Sequence, residues 1–219
     1  MSARAWRAAA LALALAGPSC SRLPPVVSLE PPRVGERGRG EPDAEAERAY
    51  QRALERYSAH AEVYADLDTR AFVAGTFQSW PFREARVKRI SDFKHLTPAE
   101  VDARRAEEKA QLDGAYELFV GLHLNDSRFD DLDKKDSVWR VALVTSAGET
   151  MPCEIRRIGR STLALRTLYP YLDEFWTAYE VKFPRVSAAG AQILPPGERA
   201  FTLRLSSTLG TADLRFVAE

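Results

Sequence analysis

The chain has 219 residues and equal numbers of basic and acidic side chains, 31 of each, so its formal net charge is zero. A chain of this length forms one domain, or one domain with a tail. Without a basic excess, nothing in the composition favours a nucleic-acid partner. Two cysteines and three histidines leave little room for a disulfide framework or a metal cluster. We therefore expect no nucleic acid, no metal and no cofactor.

The first twenty residues have the pattern of a targeting signal. Arg4 and Arg7 form a positive segment, and residues 8–16 follow as an apolar run. A run of this length is typical of a secretory signal and is too short to span a bilayer. Small residues then lead to Cys20.

The segment LAGPSC, which ends at Cys20, resembles the cleavage site of bacterial lipoproteins. In that class, signal peptidase II cuts directly before a cysteine, which then carries the lipid. Ser19 matches the small residue usual at its position, whereas Gly17 stands where that class has an aliphatic residue. The resemblance implies a signal peptide at residues 1–19 and lipidation of Cys20. Ser21 is not the aspartate that favours inner-membrane retention in that class, so the expected place is the outer membrane, facing the periplasm.

Ordinary secretion is the alternative, because Ala14-Leu15-Ala16 is itself a possible cleavage site. The second cysteine, Cys153, is predicted on the buried face of a strand. With Cys20 lipidated, Cys153 is a buried free thiol. With Cys20 unmodified, a disulfide between the two becomes possible in an oxidising compartment.

Residues 21–42 are rich in proline, glycine and arginine and have almost no apolar periodicity. Such a segment cannot bury enough surface to offset its chain entropy, which predicts a disordered linker. Behind a lipidated cysteine, it would hold a folded domain, residues 43–219, away from the membrane.

Helical periodicity predicts three helices, at about 43–58, 81–94 and 97–112. The first has an apolar stripe that includes Tyr50 and Leu54. The third starts with Thr97, Pro98 and Glu100, a capping box with proline at the first helical position. The second carries a basic stretch, interpreted as a solvent-exposed face, with contact to anionic headgroups as the alternative.

Period-two alternation predicts seven or eight short strands. The clearest is a hairpin over residues 138–158 that turns at Gly148 and directs Trp139, Val141 and Leu143 to the core. One long strand is predicted over residues 63–73, and a weak one near 163–165. Further strands are expected at about 116–124, 175–183, 201–205 and 214–216.

These elements predict a mainly β fold with helical additions (α+β) and no βαβ rhythm. The architecture we expect is an immunoglobulin-like antiparallel β-sandwich. It has an N-terminal helix and a helical insertion after the first strand.

Catalytic and metal motifs are missing. The acidic run over residues 125–136 lacks the spacing of a calcium loop, so a solvated loop is the interpretation and calcium the alternative. The histidines are scattered, and no nucleophile lies in a recognisable motif. We therefore expect no enzyme activity.

Tyr169 and Tyr171 flank Pro170 in a segment between two strands. Loops at the end of a sandwich often carry recognition, and a rigid tyrosine pair supplies contact area at low entropic cost. This predicts a possible binding loop. The alternative is that a tyrosine packs back and closes the end of the core.

The sequence therefore favours a lipid-anchored envelope protein that acts as a binding or scaffolding module, with the membrane and an envelope protein as partners. A secreted or envelope enzyme and a purely structural envelope protein are the alternatives. Fold-level analogy cannot choose among these classes.

We expect Cys20 to carry the lipid. Metabolic labelling with a fatty-acid analogue should mark the wild-type chain and leave Cys20→Ala unmarked, while Cys153→Ala stays labelled as the matched control. Labelling of the Cys20→Ala chain would contradict the assignment, as would a wild-type chain without label.

Overall fold

The computed structural model describes residues 44–65 and 68–218. Cys20, the predicted signal peptide and the predicted linker lie outside these residues. The helices are α1 (Ala44–Tyr57), α2 (Trp80–Lys94), α3 (Pro98–Gly114) and α4 (Leu163–Leu168). The strands are β1 (Ser58–Ala65), β2 (Asp68–Phe77), β3 (Tyr116–Leu124), β4 (Arg140–Thr145), β5 (Gly148–Thr150), β6 (Glu154–Arg160), β7 (Thr177–Phe183), β8 (Ala200–Ser207) and β9 (Gly210–Val217). Within the described ranges, none of the helices combines the length and apolarity that crossing a bilayer requires.

The fold is mixed α+β with two antiparallel sheets. The first sheet has five strands in the order β1-β2-β3-β7-β6, and the second has four in the order β5-β4-β8-β9. Side chains from both sheets meet in one core. There the ring of Phe77 meets Phe201 edge-on, with centroids 5.0 Å apart. Gly75 leaves room for Phe216, because a Cβ at that position would lie 3.2 Å from its ring.

The three predicted helices are confirmed. Along α1, the buried stripe includes Tyr50 and Leu54, which are 0% and 1% exposed. Ser79 caps α2, and its hydroxyl accepts a hydrogen bond from the Phe82 amide. The capping box of α3 is present, with the Glu100 carboxylate accepting from the Thr97 amide at 2.8 Å.

The single long strand predicted over residues 63–73 is wrong. The chain reverses, and β1 and β2 form an antiparallel hairpin in which Ala65 lies opposite Asp68. Val63 pairs with Ala71, and Val63, Ala71 and Val73 are all buried, so apolar positions of one period-two series in the sequence face the core from both strands. Alternation alone therefore could not reveal the turn. The helical insertion consequently follows the second strand rather than the first.

The predicted hairpin at 138–158 is confirmed only in its first half. Val141 and Leu143 on β4 are buried, but the return strand β5 has three residues, and β6 belongs to the other sheet. Cys153 lies in the crossing between the sheets, where strand alternation stops. It is exposed rather than buried, and its amide donates to the Lys182 carbonyl at 2.8 Å. The prediction of a buried thiol was therefore wrong.

The weak strand predicted near residues 163–165 is also wrong, because this segment begins helix α4. The Thr162 hydroxyl accepts a hydrogen bond from the Leu165 amide and caps the helix. A turn in which the Glu198 amide donates to the Pro195 carbonyl at 3.0 Å precedes β8, and β8 and β9 pair directly.

Trp139 anchors the start of β4. It is 6% exposed, and its indole N–H donates to the Phe129 carbonyl at 2.9 Å. We expect Trp139→Ala to lower the free energy of unfolding by about 3–5 kcal/mol, the usual cost of removing a large core aromatic. Val138 directly precedes Trp139 and is 37% exposed. Val138→Ala should therefore change the free energy of unfolding by less than about 0.5 kcal/mol. Denaturant unfolding measures both, and equal losses would contradict the assigned register.

Candidate functional site

The first sheet has a second covered face, opposite the shared core. Phe72, Ala74 and Thr76 point to this face from β2, and Phe119 and Gly121 from β3, because directly paired residues share a face. Helices α1 and α2 and the segment after α4 pack over it. Two cavities open between these elements and the sheet.

The first cavity, here called the aromatic groove, has a volume of about 190 Å³. It lies between the end of α1, the outer part of the β1–β2 hairpin and the segment after α4. Its lining is largely apolar, with a few polar side chains at the rim. The residues that line it are Leu54, Glu55, Ser58, Ala59, His60, Ala61, Glu62, Phe72, Val73, Ala74, Tyr171 and Trp176.

Hydrogen bonds hold the Tyr171 ring as one wall of the groove. The Tyr171 hydroxyl is 2.7 Å from the Thr76 hydroxyl, which is itself 2.7 Å from the Ser58 hydroxyl. Burial raises the pKa of Tyr171 well above its ordinary value, so the phenol stays neutral. The three hydroxyls satisfy one another and fix the ring.

Trp176 closes the inner end of the groove and is only 2% exposed. It packs on Gly121, where a Cβ would lie 2.9 Å from the Trp176 ring and 2.4 Å from Leu172. Glycine is therefore required at this position. The His123 ring lies between Phe72 and Trp176, with centroid distances of 5.9 and 6.3 Å.

The rim of the groove carries two carboxylates. Glu55 is exposed at the end of α1, and Glu62 lies on β1 opposite Phe72. Glu62 accepts a hydrogen bond from the Tyr64 hydroxyl. Neither carboxylate forms an ion pair with a residue that the structure describes, and the described lining contains neither lysine nor arginine.

The second cavity, here called the charged cavity, has a volume of about 250 Å³ and lies between α2, α3, α4 and strands β3 and β7. Its charged wall adjoins Arg83, a guanidinium with no solvent exposure. Arg83 donates to Glu108 at 2.6 Å and to Glu117 at 2.9 Å. It also donates to Gln111 at 3.2 Å and to the Gln78 carbonyl at 2.9 Å. Each of the three nitrogens of this side chain therefore donates at least one hydrogen bond inside the protein.

Arg86 and Arg89 continue the row along α2. Arg86 donates to Glu108 at 2.6 Å and to the Tyr169 hydroxyl at 3.1 Å. Burial disfavours its charged form, but Tyr169 and Glu108 outweigh burial and raise the pKa of Arg86 above its ordinary value. Arg89 donates to Glu47 at 2.7 Å and lies 4.5 Å from the centre of the Tyr50 ring.

The solvent-exposed face predicted for the basic stretch is therefore wrong for these three arginines, although Lys88 and Lys94 are exposed. The positions 83, 86 and 89 lie on one helix face. That spacing, together with buried Phe82 beside it, was the signal that could have identified the row as inward-facing.

The acidic loop is held to the folded domain by hydrogen bonds and an ion pair rather than being simply solvated. Asp130 accepts hydrogen bonds from Thr177 at 2.7 Å and Tyr179 at 2.5 Å, and pairs with Arg157 at 2.8 Å. These contacts fasten the loop to β6 and β7. Among the residues described, no three His, Cys, Asp or Glu side chains are grouped to hold a metal.

The segment predicted as a binding loop lies against the sheet, between the two cavities. Tyr169 is 3% exposed and stacks on Phe119 with centroids 3.8 Å apart, at the edge of the second cavity. Tyr171 is half-buried and faces the aromatic groove. The Tyr169 ring thus packs back onto the domain, but its hydroxyl bonds to the Arg86 and Gln78 side chains and not to the backbone as a tyrosine corner would. A binding role for Tyr171 stays a prediction.

Arg83→Met should remove about 3–5 kcal/mol from the free energy of unfolding, because it leaves the largely buried Glu117 without its ion-pair partner and takes from buried Glu108 one of its two close arginines. Arg204 provides the matched control, since it pairs with Asp213 at 2.8 Å on the surface. Arg204→Met should cost less than about 1 kcal/mol. Denaturant unfolding compares the two, and similar small losses would show that the buried pairs contribute little.

Comparisons with known proteins do not place the chain in a family. Protein-family models, curated proteins and solved structures gave no match to it. The two cavities and their side chains are therefore the basis for any functional proposal.

Proposed function

We propose that this protein is a non-enzymatic binding module of the cell envelope, and that the aromatic groove receives its ligand. A lipid on Cys20 would anchor it in the outer membrane, facing the periplasm, and residues 21–42 would separate the domain from the bilayer. The resemblance of the N-terminus to lipoproteins supports this placement, and ordinary secretion is the alternative. We also propose that the two sheets form a sandwich of immunoglobulin-like architecture, which their shared core supports.

The groove is the observation that carries the proposal. Ligand sites are concave and mostly apolar, with a few polar groups that orient the ligand. The groove has this composition, with Phe72 and Tyr171 as half-buried walls and His60 and Glu62 at the mouth. Because hydrogen bonds already hold Tyr171 in place, a ligand would lose little side-chain entropy on binding.

The charged cavity gives little support to catalysis. A general acid needs a carboxyl group whose pKa lies near the working pH. Burial raises the pKa of Glu180, but hydrogen bonds from Arg156 and Lys182 outweigh it and leave that pKa below its ordinary value. Glu108 is likewise paired with Arg83 and Arg86. Carboxylates that are held in ion pairs in this way stabilise the fold and are poorly suited to donate a proton.

A photo-crosslinking amino acid at position 55, at the rim of the groove, tests the proposal in cells that produce the full chain. We expect ultraviolet light to give a discrete adduct at this position. Position 48 is the matched control, because Arg48 is exposed on the same helix two turns earlier and does not line the groove.

His60→Trp, which places a large ring over the mouth of the groove, should abolish the adduct at position 55. Its melting temperature should stay near that of the wild type, since His60 is exposed. Adducts of equal yield at positions 48 and 55, or an adduct that survives His60→Trp, would contradict binding in the groove.

A further inference from the structure

We infer that the aromatic groove selects a small organic cation, an alkylammonium or quaternary ammonium group on a short body. This inference depends on the proposed function and adds the charge class of the ligand. A volume of about 190 Å³ is below the usual range for drug-sized sites, roughly 300–1,000 Å³. The groove therefore suits a compact molecule.

The walls supply the first observation. Phe72 comes from β2, whereas Tyr171 and Trp176 come from the segment between α4 and β7, so the rings border the groove from separate elements. The face of an aromatic ring carries partial negative charge and attracts a cation, most strongly where water is excluded. Several rings around one small cavity are the arrangement that quaternary ammonium recognition uses.

The rim supplies the second observation. Glu55 and Glu62 border the groove without an ion-pair partner among the described residues. In the neighbouring charged cavity, Glu108 lies 2.6 Å from each of two arginines. The two rim carboxylates consequently place negative charge at the groove with no lysine or arginine in its lining, which favours a cation over an anion.

The hydroxyls of the groove do not favour a neutral polar ligand. The Ser58, Thr76 and Tyr171 hydroxyls already bond to one another. A sugar or amide that passes the rim would meet hydroxyls already bonded to one another and an apolar wall, and it would lose its own bonds to water. A quaternary ammonium group has no donor to satisfy, so the apolar wall and the rim charge suffice for it.

The test uses two probes of the same shape, choline and its uncharged carbon isostere 3,3-dimethylbutan-1-ol. Isothermal titration calorimetry of the purified full-length chain should give a dissociation constant for choline at least about tenfold below that for the alcohol. Tyr171→Leu should weaken choline binding by about tenfold. Glu62→Gln should weaken it by about three- to tenfold.

Glu55→Gln keeps the test decisive if a groove variant fails to fold. Glu55 is exposed, so its substitution leaves the core intact, and it should weaken choline binding by about threefold. Glu84→Gln is the matched control, since Glu84 pairs with Arg105 at 3.2 Å on the surface, outside the groove. It should leave the dissociation constant unchanged.

Equal affinity for both probes would overturn the inference, because the groove would then recognise shape without charge. If that binding disappears in His60→Trp, the proposed function still stands. Binding of neither probe also overturns the cation class, and the crosslinking at position 55 then decides the proposed function separately. Choline binding that Glu55→Gln and Glu62→Gln leave unchanged contradicts the assigned groove.

Discussion

The guanidinium of Arg83 lies in the interior with no solvent contact, and four partner residues from three parts of the chain converge on it. Gln78 reaches it from the junction of β2 and α2, Glu108 and Gln111 from α3, and Glu117 from β3. An unpaired charge at this depth would cost several kcal/mol, so the network forms as a whole or the insertion does not dock. The seating of α2 and α3 on the first sheet depends on this one side chain.

The position of the groove follows from that docking. Once α2 lies on the sheet, Arg86 bonds to the Tyr169 hydroxyl and Tyr169 stacks on Phe119. Two residues further on, Tyr171 reaches Thr76 and forms the wall of the groove. One short segment therefore borders both cavities, because Tyr169 lines the charged cavity and Tyr171 lines the aromatic groove.

Local patterns predicted the local structure well. The stripe of α1, the capping box of α3 and the alternation in β3, β8 and β9 each depend on neighbours in sequence, and the structure has all of them. The errors arose where tertiary contacts decide. Val63 and Ala71 belong to one period-two series in the sequence although a turn separates them, and Cys153 lies where the chain changes sheets. The arginine row needed partners that are distant in sequence. The groove was visible only through Tyr171, because Phe72 joins it from β2 and no pattern in the sequence marked Trp176, further along the segment of Tyr171, as part of the same wall.

Helix α1 also separates the point where the N-terminal segment joins the domain from the mouth of the aromatic groove. The N-terminal segment joins the domain at the start of this 14-residue helix, while Leu54 and Glu55 border the groove near its end. A helix of this length spans about 21 Å. If Cys20 is anchored as proposed, tension on the chain would therefore first load the N-terminal end of α1, where Arg89 pairs with Glu47. The mouth of the groove, which lies near the C-terminal end of α1, would keep its shape until most of this helix had detached from the domain.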